Sequence, residues 1–416
     1  MNWFTWLFLG AIGLSCAVRL WLSVRQIRHV SFHRDTVPAA FAGNVSLAEH
    51  QKAADYTIAK SRLGRLDLLL ATVVLLVWTL GGGLELIDAL WRGMSWDPPV
   101  TGTAVVLSVF IINALLDVPL SAWATFVIEE RFGFNRMTPR LFVADLLKGI
   151  VLLLLLGAPL TLAALWLMRN MGGGWWLYVW ALWLTFSLLL AWAYPAFIAP
   201  LFNKFSALPE GSLRSRVEHL LERCGFRSRG IFVMDGSKRS AHGNAYFTGI
   251  GNNKRIVFFD TLLERLNDVE IEAVLAHELG HFRLRHILKL LASGASLSLA
   301  ALATLGWLAT QSWFYAGLGV ATPSAHAALL LFLLAAPAFT VLFHAVAAAI
   351  SRKHEFEADA YASQHSDAKA LARALVTLYS ENATTLTPDP LHSAFYDSHP
   401  PAPIRIARLE ALSARQ

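Results

Sequence analysis

The chain is short of charge and almost without cysteine. Only 15% of its 416 residues are Asp, Glu, Lys or Arg, against 56% hydrophobic. An ordinary globular surface needs more charge than that, which excludes reading the length as two or three soluble domains. Two cysteines, Cys16 and Cys224, exclude a disulfide framework and a cysteine-rich zinc site, and both read as packing residues. The net charge of +6 comes without a basic run in a fold that could use it. Nucleic acid is therefore not expected as a partner, and the charge reads as a topology signal. Charge is missing altogether from residues 2–18 and from Leu290 to Ser351.

What fills the gaps is lipid-soluble. Mean hydropathy is +0.49, and fifteen tryptophans suit belts at two membrane interfaces. The first apolar run is followed, not preceded, by Arg19 and Arg25. A cleaved signal carries its charge before the run, so this one reads as an anchor with its N-terminus outside. Further runs at 68–90, 101–128, 149–168 and 175–197 are each long enough to cross about 30 Å of hydrocarbon as a helix. The stretch 290–351 is too long for one span, and "GLGVATPSAH" (317–326) supplies a turn between two.

Seven spans result, with Asn113, Asp117, Glu85 and Asp88 inside or near them. Such groups at membrane depth either pair between helices or face a wet cavity. Between the fifth and sixth spans the composition turns mixed and charged, with β-like runs "IFVMD", "AYFTGI" and "RIVFFD". The expected fold is a membrane all-α bundle of seven transmembrane helices with a small α+β domain. Its segments are 1–202 (five spans), 203–289 (an insert), 290–351 (the last two spans) and 352–416 (a C-terminal segment).

Lys and Arg orient this arrangement. The first loop carries Arg25, Arg28, Arg34, Lys52, Lys60, Arg62 and Arg65, and the third carries Arg131, Arg136 and Arg140. The positive-inside rule then puts the odd loops, the insert and the C-terminus in the cytoplasm. Seven spans with the N-terminus outside require the same answer.

The chemistry sits in "LNDVEIEAVLAHELGHFRLRH", residues 266–286, which reads as one helix. Asn267 can cap it and Glu270 can complete a capping box. Ile271, Val274, Leu275, Leu279 and Phe282 recur with helical spacing. His277 and His281, at i and i+4, project from one side and can share a zinc. Glu278 lies about 100° round the helix, poorly placed to ligate but able to reach a metal-activated water, so it is the candidate general base. About 0.02 matches to H-E-x-x-H are expected from composition in a chain this long, so chance is a poor explanation. His286 lies off the pair and reads as an interfacial residue.

A catalytic zinc takes three protein ligands and keeps one position open. "SRKHEFEADAYA" (351–362) offers Glu355 as third ligand, with Asp359 on the same face to accept the N–H of a ligand histidine. His354 is a rival that faces about 100° away, and Glu357 reads as solvated.

These blocks together resemble the integral-membrane CaaX prenyl endopeptidases of type I. The resemblance also rests on "VIEERFGFN" (127–135), "YPAFIAPLFNKFSALPEG" (194–211), "HGNAYFTG" (242–249) and "DSHPPAPIR" (397–405). It implies seven helices around a water-filled chamber, with a gluzincin-like domain. It implies one Zn²⁺ on His277, His281 and Glu355, with Glu278 as base. Asn244 and Ala245 carry over as an edge strand that pairs with the substrate backbone, His399 as a stabiliser of the oxyanion, and Arg405 as a neighbouring substrate contact.

Read without the resemblance, "NAYF" is equally an ordinary strand and "HPP" a loop. The expected activity is hydrolysis of peptide bonds near the C-terminus of CaaX-like substrates, prenylated or not. The alternative is a membrane quality-control protease without prenyl specificity. A transporter or structural membrane protein with a zinc-stabilised domain is a third reading, which Glu278 and the open ligand position oppose. The ending "LSARQ" has no ER-retention signal, and the Ala/Leu/Trp-rich spans point to a bacterial source in its inner membrane.

Overall fold

The computed structural model of the protein describes residues 1–226, 230–248 and 255–414. Among the described residues five helices are long and apolar enough to cross a membrane: Trp3–Phe32, Pro98–Glu129, Pro139–Asn170, Gly172–Phe202 and His286–Leu308. Two helix pairs qualify as broken spans. Leu47–Trp78 bends by 49° into Gly83–Arg92, and Ala325–Phe339 bends by 72° into Phe343–His365. Counting each pair once gives seven spans.

The helices run beyond their apolar runs. The first continues to Phe32 and the second starts at Leu47, so much of the basic first loop is helical. The second span bends where "GGG" (81–83) interrupts the ladder, and Gly82 takes a left-handed φ of 77° that favours glycine. The seventh span bends shortly after Pro337, whose missing N–H and ring weaken the local helix.

Polar groups in the spans divide between both expected uses. The Trp78 Nε1–H donates to Asn113 Oδ1 at 2.7 Å, joining the second and third spans. Asp88 pairs with Arg92 and with His326 Nε2, each at 2.9 Å. Glu85 accepts the Ala321 and Thr322 backbone N–H groups. Asn113 and Asp88 thus tie helices together, and Glu85 ties its helix to the turn at Ala321 and Thr322. Asp117 instead is exposed and lines a cavity of about 390 Å³ with Arg19, Asp67 and Asn113.

Outside the spans a four-stranded sheet forms from β1 (Phe205–Ala207), β2 (Ile231–Met234), β3 (Ala245–Thr248) and β4 (Arg255–Phe259). Its order is β1-β2-β4-β3, with β2 parallel to β4 and the outer pairs antiparallel. β2, β3 and β4 occupy the three expected β-like runs. β1 was not expected, because three residues are too few to show an alternation. The end of "AYFTGI" from residue 249 lies outside the described residues.

Two large cores, with two smaller clusters beside them, hold the described residues together. One lies among the spans, around Phe8, Val106, Leu305, Phe314 and Leu331. The other joins the sheet and the H-E-x-x-H helix to the C-terminal helices through Phe258, Ile271, Leu275, Leu371 and Leu409. Phe41 and Val45, from the first basic loop, belong to this second core. The sequence halves on either side of the last two spans thus close into one hydrophobic unit.

Candidate active site

The helix Asp268–Arg283 begins as its sequence requires. Asn267 Oδ1 accepts the N–H groups of Val269 and Glu270, and the Glu270 carboxylate accepts the Asn267 N–H. Ile271, Leu275 and Leu279 are each 1% exposed and turn the helix toward the core. The helix does not run to His286, however. It ends at Arg283, Arg285 takes a left-handed φ of 58°, and a new helix starts at His286.

Gly280 decides how near the third-ligand helix can come. A Cβ there would lie 3.0 Å from Ala358 Cα and 3.1 Å from its carbonyl oxygen. Two backbones therefore meet in the middle of H-E-L-G-H, which brings Glu355 and Asp359 to the histidines. Gly280→Ala is expected to push these helices apart. A loss of about 1–3 kcal/mol in stability and a lower zinc content by elemental analysis would both follow. Wild-type zinc content in that variant would show that the contact does not set the site.

The converging atoms are closely spaced. His277 Nε2 and His281 Nε2 are 3.2 Å apart. Glu355 Oε1 is 3.2 Å from His281 Nε2, and Oε2 is 3.5 Å from His277 Nε2. Ligands at tetrahedral angles on a zinc with bonds of about 2.0–2.1 Å lie about 3.3 Å from one another. The three residues also have donor atoms that all lie within 4.8 Å of one another. Glu355 Oε2 is buried without a well-directed hydrogen bond, although His399 Nδ1 is 2.7 Å away. Two imidazole nitrogens and an orphaned carboxylate oxygen are donor types that suit zinc.

Behind the ligands, His277 Nδ1 lies 2.9 Å from Asp359 Oδ1. Arg405, 4% exposed, grips both Asp359 oxygens at 2.7 Å and lies 3.3 Å from Glu355 Oε2. Burial and this guanidinium push the His277 ring down, but Asp359 and Glu355 outweigh them and hold it up at about 9. The two carboxylates thus favour positive charge at His277.

A cavity of about 770 Å³ opens beside them, lined by Glu278, His277, Asn244, Ala245 and His399 among others. Glu278 has no hydrogen bond or ion pair to any described residue. β3 pairs only with β4 among the described strands, so its other edge is free. The Asn244 carbonyl accepts the Phe259 N–H on the paired side, while Asn244 Oδ1 accepts the Ala245 N–H at 2.8 Å.

Comparison with known proteins follows the two parts of this architecture. Residues 26–204 match a family described as the CAAX prenyl protease N-terminal, five membrane helices. Residues 207–413 match peptidase family M48. The chain is 33% identical over 408 residues to "CAAX prenyl protease 1 homolog" of Oryza sativa, covering 95% of both chains. It is 31% identical to the Homo sapiens protein of that name, over 86% of each. Its fold matches the crystal structure of S. mikatae Ste24p with a TM-score of 0.90 and 28% identity, covering 98% of this chain and 99% of that one. The chain belongs to the CAAX prenyl protease 1 family.

Membership of this M48 family, with the His277/His281/Glu355 cluster, makes the protein a multi-pass membrane zinc metalloendopeptidase. These CAAX prenyl protease relatives are eukaryotic, so they lend the expected bacterial source no support.

Three residues near the ligand cluster have contacts that the sequence did not show. His286, expected at the interface, is buried with its Nδ1 3.0 Å from His281 Nδ1. Glu357, expected in solvent, pairs with His286 Nε2 at 2.9 Å. His354 stacks on His286 with centroids 4.0 Å apart. No signal could have found them, because the turn at Arg285 breaks the helical phase between His281 and His286.

Proposed function

We propose that the protein hydrolyses peptide bonds near the C-terminus of CaaX-like substrates, prenylated or not, with the chain held extended along β3. The observation that carries this reading is the shared cavity: Asn244 and Ala245 at the start of β3, Glu278, His399 and the ligand His277 all line it. A strand edge binds an extended peptide through its main chain. Asn244 Oδ1 now occupies the Ala245 N–H, and a substrate carbonyl would take its place.

Zinc, when bound, supplies Lewis acidity that acidifies water and polarises the scissile carbonyl. The chain's residues do the rest. Glu278 takes the proton of the attacking water on its carboxylate and delivers it to the departing amine nitrogen. His399 swings from Glu355 to donate to the carbonyl oxygen as negative charge develops, an interaction worth a few kcal/mol. Asp359 holds the His277 Nδ1–H, and Arg405 holds Asp359 and Glu355. With its nitrogens so engaged, Arg405 acts on substrate chiefly through these carboxylates.

In this reading residues 1–202 and 290–351 form the membrane part, and 203–289 with 352–416 the catalytic part. The Asp117 cavity supports a wet interior between the spans. The Lys and Arg distribution supports an external N-terminus and a cytoplasmic catalytic side. CaaX specificity is drawn from the relatives' names, and a direct comparison tests it. A farnesylated C-terminal peptide is expected to be cut faster than its unprenylated twin. Equal rates would favour a quality-control protease.

A further inference from the structure

His281 has two ring nitrogens with different neighbours. Nε2 faces His277 and Glu355, whereas Nδ1 lies 3.0 Å from His286 Nδ1. His286 Nε2 in turn lies 2.9 Å from Glu357 Oε2. A neutral imidazole that offers Nε2 to a metal carries its proton on Nδ1. His281 therefore donates from Nδ1, and His286 accepts at its own Nδ1. The His286 proton is then on Nε2, where it is donated to Glu357. With His281 Nε2 given to the metal, this order of protons leaves each of the other three ring nitrogens a complementary partner.

We propose that His286 and Glu357 are positioning residues for the zinc site, fixing the tautomer and ring angle of His281. The proposal rests on the reading of His277, His281 and Glu355 as ligands. Asp359 plays the corresponding part for His277, so each ligand ring ends on its own carboxylate.

The relay's location gives it a second consequence. His286 is the first residue of the sixth span, and Glu357 lies on the second helix of the seventh. His281 is thus anchored to two membrane spans. His277 answers to Asp359 and, through it, to Arg405 on the C-terminal helix Ala402–Ser413. A shift of the seventh-span helix would reach both rings, through Glu357 and Asp359, whereas His286 ties only the His281 ring to the sixth span.

His286, His354 and Glu357 also have donor atoms within 4.8 Å of one another. They are a poor second metal site. The His286 and His354 rings are stacked at 12° to each other, and an ion must lie near the plane of each imidazole that binds it. Two stacked planes do not meet at one ion, and both His286 nitrogens are already engaged. His354 covers the relay.

The test uses full-length protein in lipid nanodiscs, with zinc stoichiometry by elemental analysis and zinc affinity by chelator competition. Wild type should hold one zinc per chain. His286→Ala and Glu357→Ala should each weaken zinc binding about 10–100-fold. Glu357→Gln, which keeps an acceptor, should recover part of the loss. His354→Phe, which keeps the stack, should change neither reading. Glu357 is partly exposed, so its variants report even if His286→Ala fails to fold.

Unchanged affinity in folded Glu357→Ala would overturn the relay, as would loss of a second zinc in His354→Phe. A Glu355→Ala control separates the two readings. If it loses zinc while the relay variants do not, only the relay fails. If it keeps zinc, the ligand set falls and the relay with it.

Discussion

Glu278→Ala is expected to keep its zinc and lose its activity. Glu278 stands beside the ligand cluster without belonging to it, and it has no hydrogen bond or ion pair to a described residue. Its removal therefore disturbs neither the three donor atoms nor the carboxylates behind them. What disappears, on the proposed mechanism, is the group that accepts a proton in the cavity and returns it to the leaving amine. General acid–base catalysis of this kind contributes about 10²–10⁴-fold, so kcat/KM should fall by that factor with one zinc per chain retained. Elemental analysis beside a peptide-cleavage assay reads both quantities. Full activity in the variant would remove Glu278 from the mechanism.

Glu355→Ala should have the opposite signature. The metal would lose a ligand, and His277 and His281 alone leave two positions to solvent. The fall in zinc affinity should exceed the 10–100-fold loss typical of outer partners. The fold should suffer less, because Arg405 keeps both Asp359 oxygens and remains a paired buried cation. A stability loss of about 1–3 kcal/mol is expected for the hydrogen bonds removed. Dialysis against chelator followed by zinc analysis is the measurement. Zinc retained at wild-type affinity would mean that another residue supplies the third ligand.

The two variants also separate the layers of what could be read from the chain. Spans were legible because hydrocarbon demands long uncharged runs, and each of the seven expected runs is a helix or a bent helix pair. The bends were not legible as angles. Gly82 and Pro337 mark where a helix is weak, but the packing of neighbours decides how far it turns. Asn113 and Asp88 pair across helices and Glu85 holds a turn, while Asp117 lines a cavity, although the sequence presents all four alike. Which polar residue finds a partner depends on the rotation of each helix in the bundle.

The sequence by itself determined the ligand types and the local geometry that follows from helical period. H-E-x-x-H places two imidazoles on one face and the carboxylate beside them, and E-x-x-x-D places Glu355 and Asp359 together. Both are consequences of 3.6 residues per turn. Tertiary structure alone decided what met them. Gly280 against Ala358 brings two helices from either side of the last two spans within backbone contact. The left-handed turn at Arg285 returns His286 to His281, and Arg405 arrives from the far end of the chain to hold Asp359. Such contacts join residues whose separation along the chain carries no periodic signal, so only the packed cores could show them.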